Sequence, residues 1–113
     1  MNYPLYDIHC HIVPGIDDGA EDLRESLAMA RMAVADGIHT IIATPHQAGN
    51  FAENRGQTIR ERVAKLQHEL RHNDIPLTVL AGADVRIENG MVAGLLEGDI
   101  VSLGDHRRHL LLQ

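Results

Sequence analysis

Apolar residues fall into two kinds of pattern along this chain, short compact runs and longer stripes spaced to cover one face of a helix. Residues 5–10, Leu-Tyr-Asp-Ile-His-Cys, predict a first strand, with Pro14-Gly15 marking the loop behind it. Between Asp22 and Asp36, the residues Leu23, Leu27, Ala30 and Val34 recur at spacings of four, three and four, the mark of one buried helix face. Asp22 with Glu25 reads as a capping box at the start of that helix, and Gly37 stands where a left-handed cap would end it. Residues 40–43 form a compact β-branched run, a second strand, followed by Thr44-Pro45-His46. A loop containing Gly and Asn runs on to Gln57. There Thr58 and Glu61 predict a second capping box, and Ile59, Val63, Leu66 and Leu70 the buried stripe of a helix ending near Asn73. Residues 77–83 predict a third strand and residues 109–113 a fourth; a short helix over residues 91–96 is weakened by Gly90 and Gly94.

Strands and helices therefore alternate, which predicts an α/β fold of βα units with parallel strands. The 113 residues, 44% of them hydrophobic, suffice for one domain with its own core. With no Trp and only Tyr3, Tyr6 and Phe51 as aromatics, that core must rest on aliphatic residues and Met. The apolar fourth strand stands at the end with nothing after it, so residues 1–113 are expected to be a single incomplete domain. A formal net charge of −6 argues against nucleic acid as a partner, since a phosphate backbone needs clustered Lys and Arg. No apolar run approaches the length of a membrane span and no leader pattern opens the chain, so the expected location is the cytoplasm. The single cysteine, Cys10, agrees with a reducing compartment.

Eight histidines change the picture by where they fall. Asp7, His9 and His11 alternate along extended backbone, where side chains two apart share a face and can converge. Two imidazoles and a carboxylate suit a divalent transition metal such as Zn, Mn or Fe. Asp17-Asp18-Gly19 follows in the same loop; with Asp22 engaged as a cap, at least one of these acids is free for metal. His46 comes directly after the second strand and Asp84 directly after the third. In parallel α/β sheets ligands gather at the C-terminal ends of strands, so these polar residues are expected to meet.

The strings DIHCHIVPGIDDGA, ESLAMARMAVADGI, TIIATPH and AGADV resemble, in order and spacing, the tyrosine phosphatases of the polymerase-and-histidinol-phosphatase (PHP) superfamily, bacterial enzymes associated with polysaccharide-synthesis kinases. The resemblance implies the N-terminal portion of a distorted (βα)7 barrel holding up to three divalent metals. It makes His9, His11, Asp18 and His46 metal ligands and puts Asp84 in place of a catalytic carboxylate that bridges metals, where the family commonly has Glu. Asp7 becomes an outer-sphere support and Asp17 a neighbour of the shell, while Gln113 stands where a further Glu is expected. The implied reaction is hydrolysis of protein phosphotyrosine by a metal-activated water, with a bacterial tyrosine kinase as substrate. The segment alone, lacking the later ligands and phosphate-binding arginines of the family, is expected to be inactive.

Rival readings exist. His68-Glu69-Leu70-Arg71-His72 is a literal H-E-x-x-H. At about 100° per residue, however, both histidines point away from the Ile59 to Leu70 stripe and toward solvent. A cysteine-nucleophile phosphatase needs Cys-x5-Arg, but Ile16 occupies the sixth position after Cys10. A histidinol-phosphate phosphatase or a non-catalytic metal-binding module remain alternatives. Arg55, in the loop after His46, is a candidate contact for phosphate.

Overall fold

The computed structural model describes residues 3–113, and its parallel strands and flanking helices form the α/β arrangement expected from the sequence. Strand β1 (Leu5–Cys10) leads to helix α1 (Leu23–Ala35) and strand β2 (Ile38–Ala43). Strand β3 (His46–Gln47) precedes helix α2 (Gly56–His72), which returns to β4 (Thr78–Ala81) and β5 (Asp84–Val85). Helix α3 (Met91–Glu97), a 3-10 turn (Leu103–Asp105) and β6 (Leu111–Leu112) follow.

The strands make two tiers, each parallel. The lower tier runs β1-β2-β4 and the upper tier β3-β5-β6. What reads in the sequence as one strand after α1 is two, β2 and β3, parted by buried Thr44 and Pro45. Likewise the expected strand over residues 77–83 covers β4 only, and the chain pairs again at Asp84 after Gly82 and Ala83. Main-chain bonds carry the ladder across the break: Thr44 N–H donates to Cys10 O at 2.8 Å and Asp84 N–H to Pro45 O at 2.9 Å. Gly82 is required at this bend because a Cβ there would lie 2.8 Å from Ile42 Cγ2 and 3.0 Å from Ala43 O. The fourth strand is shorter than its apolar run, with register partners only at Leu111 and Leu112 and Gln113 N–H donating to Val85 O at 2.8 Å.

Helices α1 and α2 cover one face of the lower tier, where Ile12, Ile41, Ile59, Leu66, Leu70 and Val79 form the heart of the core. The α2 stripe is buried as its spacing predicts. The α1 stripe is rotated relative to expectation: Ser26, Ala30 and Ala33 are buried, whereas Leu23, Leu27 and Val34 flank them. Ser26 can occupy that face because its hydroxyl donates to Ile12 O, which removes the cost of burying it. The opposite face of the tier is open, leaving Tyr6, Ile8 and Leu80 exposed.

The two helix starts differ instructively. Asp22 accepts from Glu25 N–H at 2.9 Å as the capping box requires, while the Glu25 carboxylate returns to Glu21 N–H. Gly37 takes the expected left-handed conformation, φ 88°. Thr58 and Glu61, by contrast, lie inside α2, whose N-cap is Arg55 with no side-chain cap of its own. The acceptor comes from across the fold: Asp99 Oδ1 receives Gly56 N–H at 3.0 Å and Arg55 Nε at 2.9 Å. The bond from Arg55, then that from Gly56 N–H, outweighs desolvation and holds the Asp99 carboxyl below the usual carboxylate range. Asp99→Ala is therefore expected to lower stability by about 1 kcal/mol in urea denaturation near neutral pH, the usual worth of a helix cap. A carboxyl with a depressed folded pKa contributes fully above its unfolded value of about 3.9 and loses that contribution as pH falls through the folded value. The difference between variant and parent should accordingly vanish in strong acid.

Candidate metal centre

Because β-strand side chains alternate, the first residue of β3 and the first of β5 point one way while their neighbours point the other. His46 and Asp84 are direct register partners and face the same side; Gln47 and Val85 turn inward and are buried. Gln47 is fixed there by its amide, which donates to Asp99 O and accepts from Val101 N–H. His9 near the end of β1 and His11 just beyond it reach the same region.

Asp84 Oδ2 is the hub. It stands 3.5 Å from His9 Nε2, 3.5 Å from His46 Nδ1 and 3.9 Å from His11 Nε2, each beyond an ordinary hydrogen bond. His9 Nε2 and His11 Nε2 face each other at 3.3 Å, and His46 Nε2 is 3.3 Å from Asp18 Oδ1. Two donors each about 2.1 Å from one cation, at a tetrahedral angle, lie about 3.4 Å apart. The spacing within this cluster is thus that of groups arranged around a cation, and imidazole with carboxylate is a donor set suited to Zn, Mn or Fe. Two overlapping groups bring their candidate ligand atoms within 4.8 Å of one another: His9, His11 and Asp84, and His11, Asp17, Asp18 and His46.

Within the second group Asp17 differs from the rest. Its side chain is fully buried, Oδ2 accepts from His11 Nδ1 at 2.9 Å and from His46 N–H at 3.0 Å, and Oδ1 accepts from Gly19 N–H at 2.9 Å. Burial pushes its carboxyl up, but the bond from His11, then those from Gly19 and His46, prevail and hold it below the usual range. With both oxygens engaged, Asp17 serves to orient: it fixes the proton of His11 on Nδ1 and so turns the Nε2 lone pair toward Asp84. The turn that delivers this carboxylate is tight, since a Cβ on Gly19 would lie 2.3 Å from His11 O. Asp7 lies outside both groups, and its Oδ1 accepts from His9 N–H at 3.0 Å.

Sequence reasoning missed three supports. Phe51 stacks on His46, ring centroids 4.9 Å apart and planes 19° apart. Buried Asn54 donates to both Ile16 O and His46 O, tying the Asp17 turn to β3. Thr44 Oγ1 accepts from Cys10 N–H, bracing the backbone between His9 and His11. None has a local signature, since each acts across at least one element or loop. Cys10 is a packing residue here: burial, then the neighbouring Asp7 charge, pushes its thiol up to about 11, so it stays protonated at neutral pH.

His68 and His72 lie exposed on α2, away from the cluster, as their angular position predicts. Arg55 is held by Asp99. Gln113, exposed at the end of β6, lines a small cavity beside His46 and Asp18. No helix among the described residues is long and apolar enough to cross a membrane.

Comparison with known proteins places these features in context. The family described as Capsular polysaccharide synthesis, CpsB/CapC, matches residues 5–112. Tyrosine-protein phosphatase YwqE of Bacillus subtilis strain 168 is 43% identical over 107 residues, covering 95% of this chain and 42% of that protein. Tyrosine-protein phosphatase CpsB of Streptococcus agalactiae serotype V is 27% identical over 107 residues, 95% of this chain and 44% of that protein. A solved structure superposes with a TM-score of 0.90 at 42% identity, covering 96% of this chain and 43% of its own; it comes from work on YwqE of B. subtilis and CpsB of Streptococcus pneumoniae, described as unique metal-dependent tyrosine phosphatases. The chain thus spans less than half the length of the relatives it matches.

Proposed function

Because this chain belongs to the CpsB/CapC family of capsular polysaccharide synthesis, we propose that it is the N-terminal part of a metal-dependent protein-tyrosine phosphatase, its strands forming the first portion of a PHP-type barrel. The supporting observation is the hub at Asp84 Oδ2, which has three imidazole nitrogens from two separate segments within 3.9 Å of it, a spacing compatible with a shared cation. In this reading His9, His11, Asp18, His46 and Asp84 hold divalent ions, with Mn, Fe and Zn as candidates and up to three in the whole domain. When bound, the ions neutralise phosphoryl charge and lower the pKa of a water for attack on phosphorus.

The chain's own residues supply placement. Asp17 keeps His11 in one tautomer and pins the backbone of His46, so two ligands from different segments hold a fixed separation. Asp7 steadies the backbone at His9, and the Phe51 ring sets the plane of His46. Asp84, on the same side of the wall as His46, brings negative charge to the middle of the cluster and would help hold the ions there. Gln113 offers a neutral carbonyl at the rim, where a carboxylate would add charge.

The substrate we propose is phosphotyrosine on a protein, a tyrosine kinase of polysaccharide synthesis, in the cytoplasm. A phenol of pKa about 10 leaves more readily than a serine alcohol, so aryl phosphates should turn over faster than alkyl ones. The test uses the full-length protein with phosphotyrosine and phosphoserine peptides, before and after dialysis against a chelator. Loss of turnover on chelation, recovery with Mn and preference for phosphotyrosine are expected. Chelator-resistant activity would refute the metal assignment, and equal rates on the two peptides the tyrosine preference.

A further inference from the structure

The cluster described so far carries carboxylates from Asp17, Asp18 and Asp84 but contains no cationic side chain, although a phosphate monoester reaches it as an anion. Just outside it, Asp18, His46, Asn50, Phe51, Arg86 and Gln113 line a cavity of about 140 Å³. Arg86 is the one cationic side chain among its lining residues.

Its position follows from the strand. Arg86 is two residues after Asp84, so alternation sets both on the same side of the wall, with Val85 between them buried on the other. The Arg86 backbone continues the ladder, its N–H donating to Gln47 O at 3.0 Å. The Arg86 Cα therefore stands one pleat, roughly 7 Å along the chain, from that of Asp84, and its side chain is exposed. The loop after β3 is shaped to admit it. Ala48 and Gly49 both adopt positive φ, 68° and 56°, and a Cβ on Gly49 would lie 2.5 Å from Arg86 Cδ and 3.4 Å from its Cγ. The arginine stem thus lies against bare backbone at Gly49, and the same turn, closed by Phe51 N–H donating to Ala48 O at 3.0 Å, brings the Phe51 ring over His46.

The guanidinium has no hydrogen-bond or ion-pair partner among the described residues. Arg55 is held by Asp99, Arg60 by Asp105, and Arg107 by the carbonyls of Leu95 and Leu96. A planar fork of N–H donors left open at the mouth of the candidate metal cluster suits a phosphoryl group, whose outer oxygens it can take in pairs.

We propose that Arg86 is a phosphate-binding residue, donating to non-bridging oxygens of the substrate phosphoryl group from the side opposite the Asp84 carboxylate, with Gly49 making room for its stem. The proposal rests on the phosphatase reading above and assigns a residue within it. Arg55, the arginine the sequence offers for this task, is paired through Nε with Asp99 at the start of α2 instead.

The experiment compares full-length wild type with Arg86→Ala, Arg86→Lys and Gly49→Ala. It measures kcat and KM for p-nitrophenyl phosphate, the calorimetric Kd for inorganic phosphate, and bound metal. Loss of a charged hydrogen-bond donor should raise both KM and the phosphate Kd of Arg86→Ala about tenfold or more, with metal content unchanged. Arg86→Lys should recover part of the loss, because it keeps the charge but not the fork. Gly49→Ala should shift both constants in the same direction with Arg86 intact. Phosphate Kd and KM within about twofold of wild type in Arg86→Ala would overturn the proposal, as would loss of bound metal, which would place Arg86 in support of the metal shell. A wild-type protein that binds phosphate yet hydrolyses no phosphomonoester would refute the phosphatase reading and leave the Arg86 result standing on the Kd alone.

Discussion

Replacing Asp84 by alanine in the full-length protein is expected to lower aryl-phosphate turnover by on the order of 10³-fold, the scale felt when electrostatic stabilisation of a transition state is lost, here because the cations lose a ligand. Asp84 Oδ2 is the atom from which His9, His11 and His46 are all reached, so its removal takes away the shared donor as well as the charge. Metal content measured on the purified variant should fall with it. The metal-free protein should respond in the opposite sense. Asp84 is a nearly buried carboxylate whose imidazole neighbours stand beyond ordinary hydrogen-bonding distance, and such a group costs stability without its cation. Asp84→Asn should therefore leave the melting temperature of the chelated protein unchanged or raise it, while lowering the gain on adding metal. A variant that keeps full turnover and full metal content would remove Asp84 from the site.

Asp17→Asn is expected to weaken metal binding by roughly 10- to 100-fold, the usual effect of losing the group that orients a ligating histidine. The substitution keeps the shape but leaves one acceptor oxygen where two serve three donors. If the amide oxygen remains with His11 and His46, the new NH2 faces Gly19 N–H; if it flips, His11 and His46 lose their acceptor. Either way a buried donor is stranded, at a cost of about 1 to 3 kcal/mol. Competition titration with a chromophoric chelator and urea denaturation read the two effects separately. Unchanged metal affinity alongside reduced stability would make Asp17 a residue of the fold only.

The contrast between Asp17 and its neighbours shows which parts of the molecule are legible in a sequence. His9 and His11 declare themselves because their relation is local: they lie two apart on extended backbone. The α2 stripe does so for the same reason, being set by helical geometry within a single element. Asp22 caps a helix from three residues away and is readable; Asp99 caps one from 43 residues away and is not. Thr58 and Glu61 satisfied the local pattern, but the distant acceptor let α2 begin earlier at Gly56. Similarly, the breaks at Thr44-Pro45 and Gly82-Ala83 exist because neighbouring strands bend together, which no single run of residues records. The meeting of His46 with Asp84 was legible in kind, as polar residues following successive parallel strands. Its exact register needed the ladder itself. His68 and His72 face solvent because the buried α2 stripe fixes their angular position.

The two-tier wall also bears on how this chemistry can be altered. Hydrophobic packing is concentrated against the lower tier, whereas His46, Asp84, Arg86 and Gln113 belong to, or directly follow, two-residue strands set beyond a bend. Half the positions of that upper rung look outward and contribute little to the core; the inward ones, Gln47 and Val85, do the anchoring. On the proposed reading, a gene library varying only the outward positions is expected to change metal binding while the folding scaffold stays constant. A library that reached Gln47 or Val85 would instead return mostly insoluble clones. Candidate metal-binding residues and anchoring residues alternate along the same short strands.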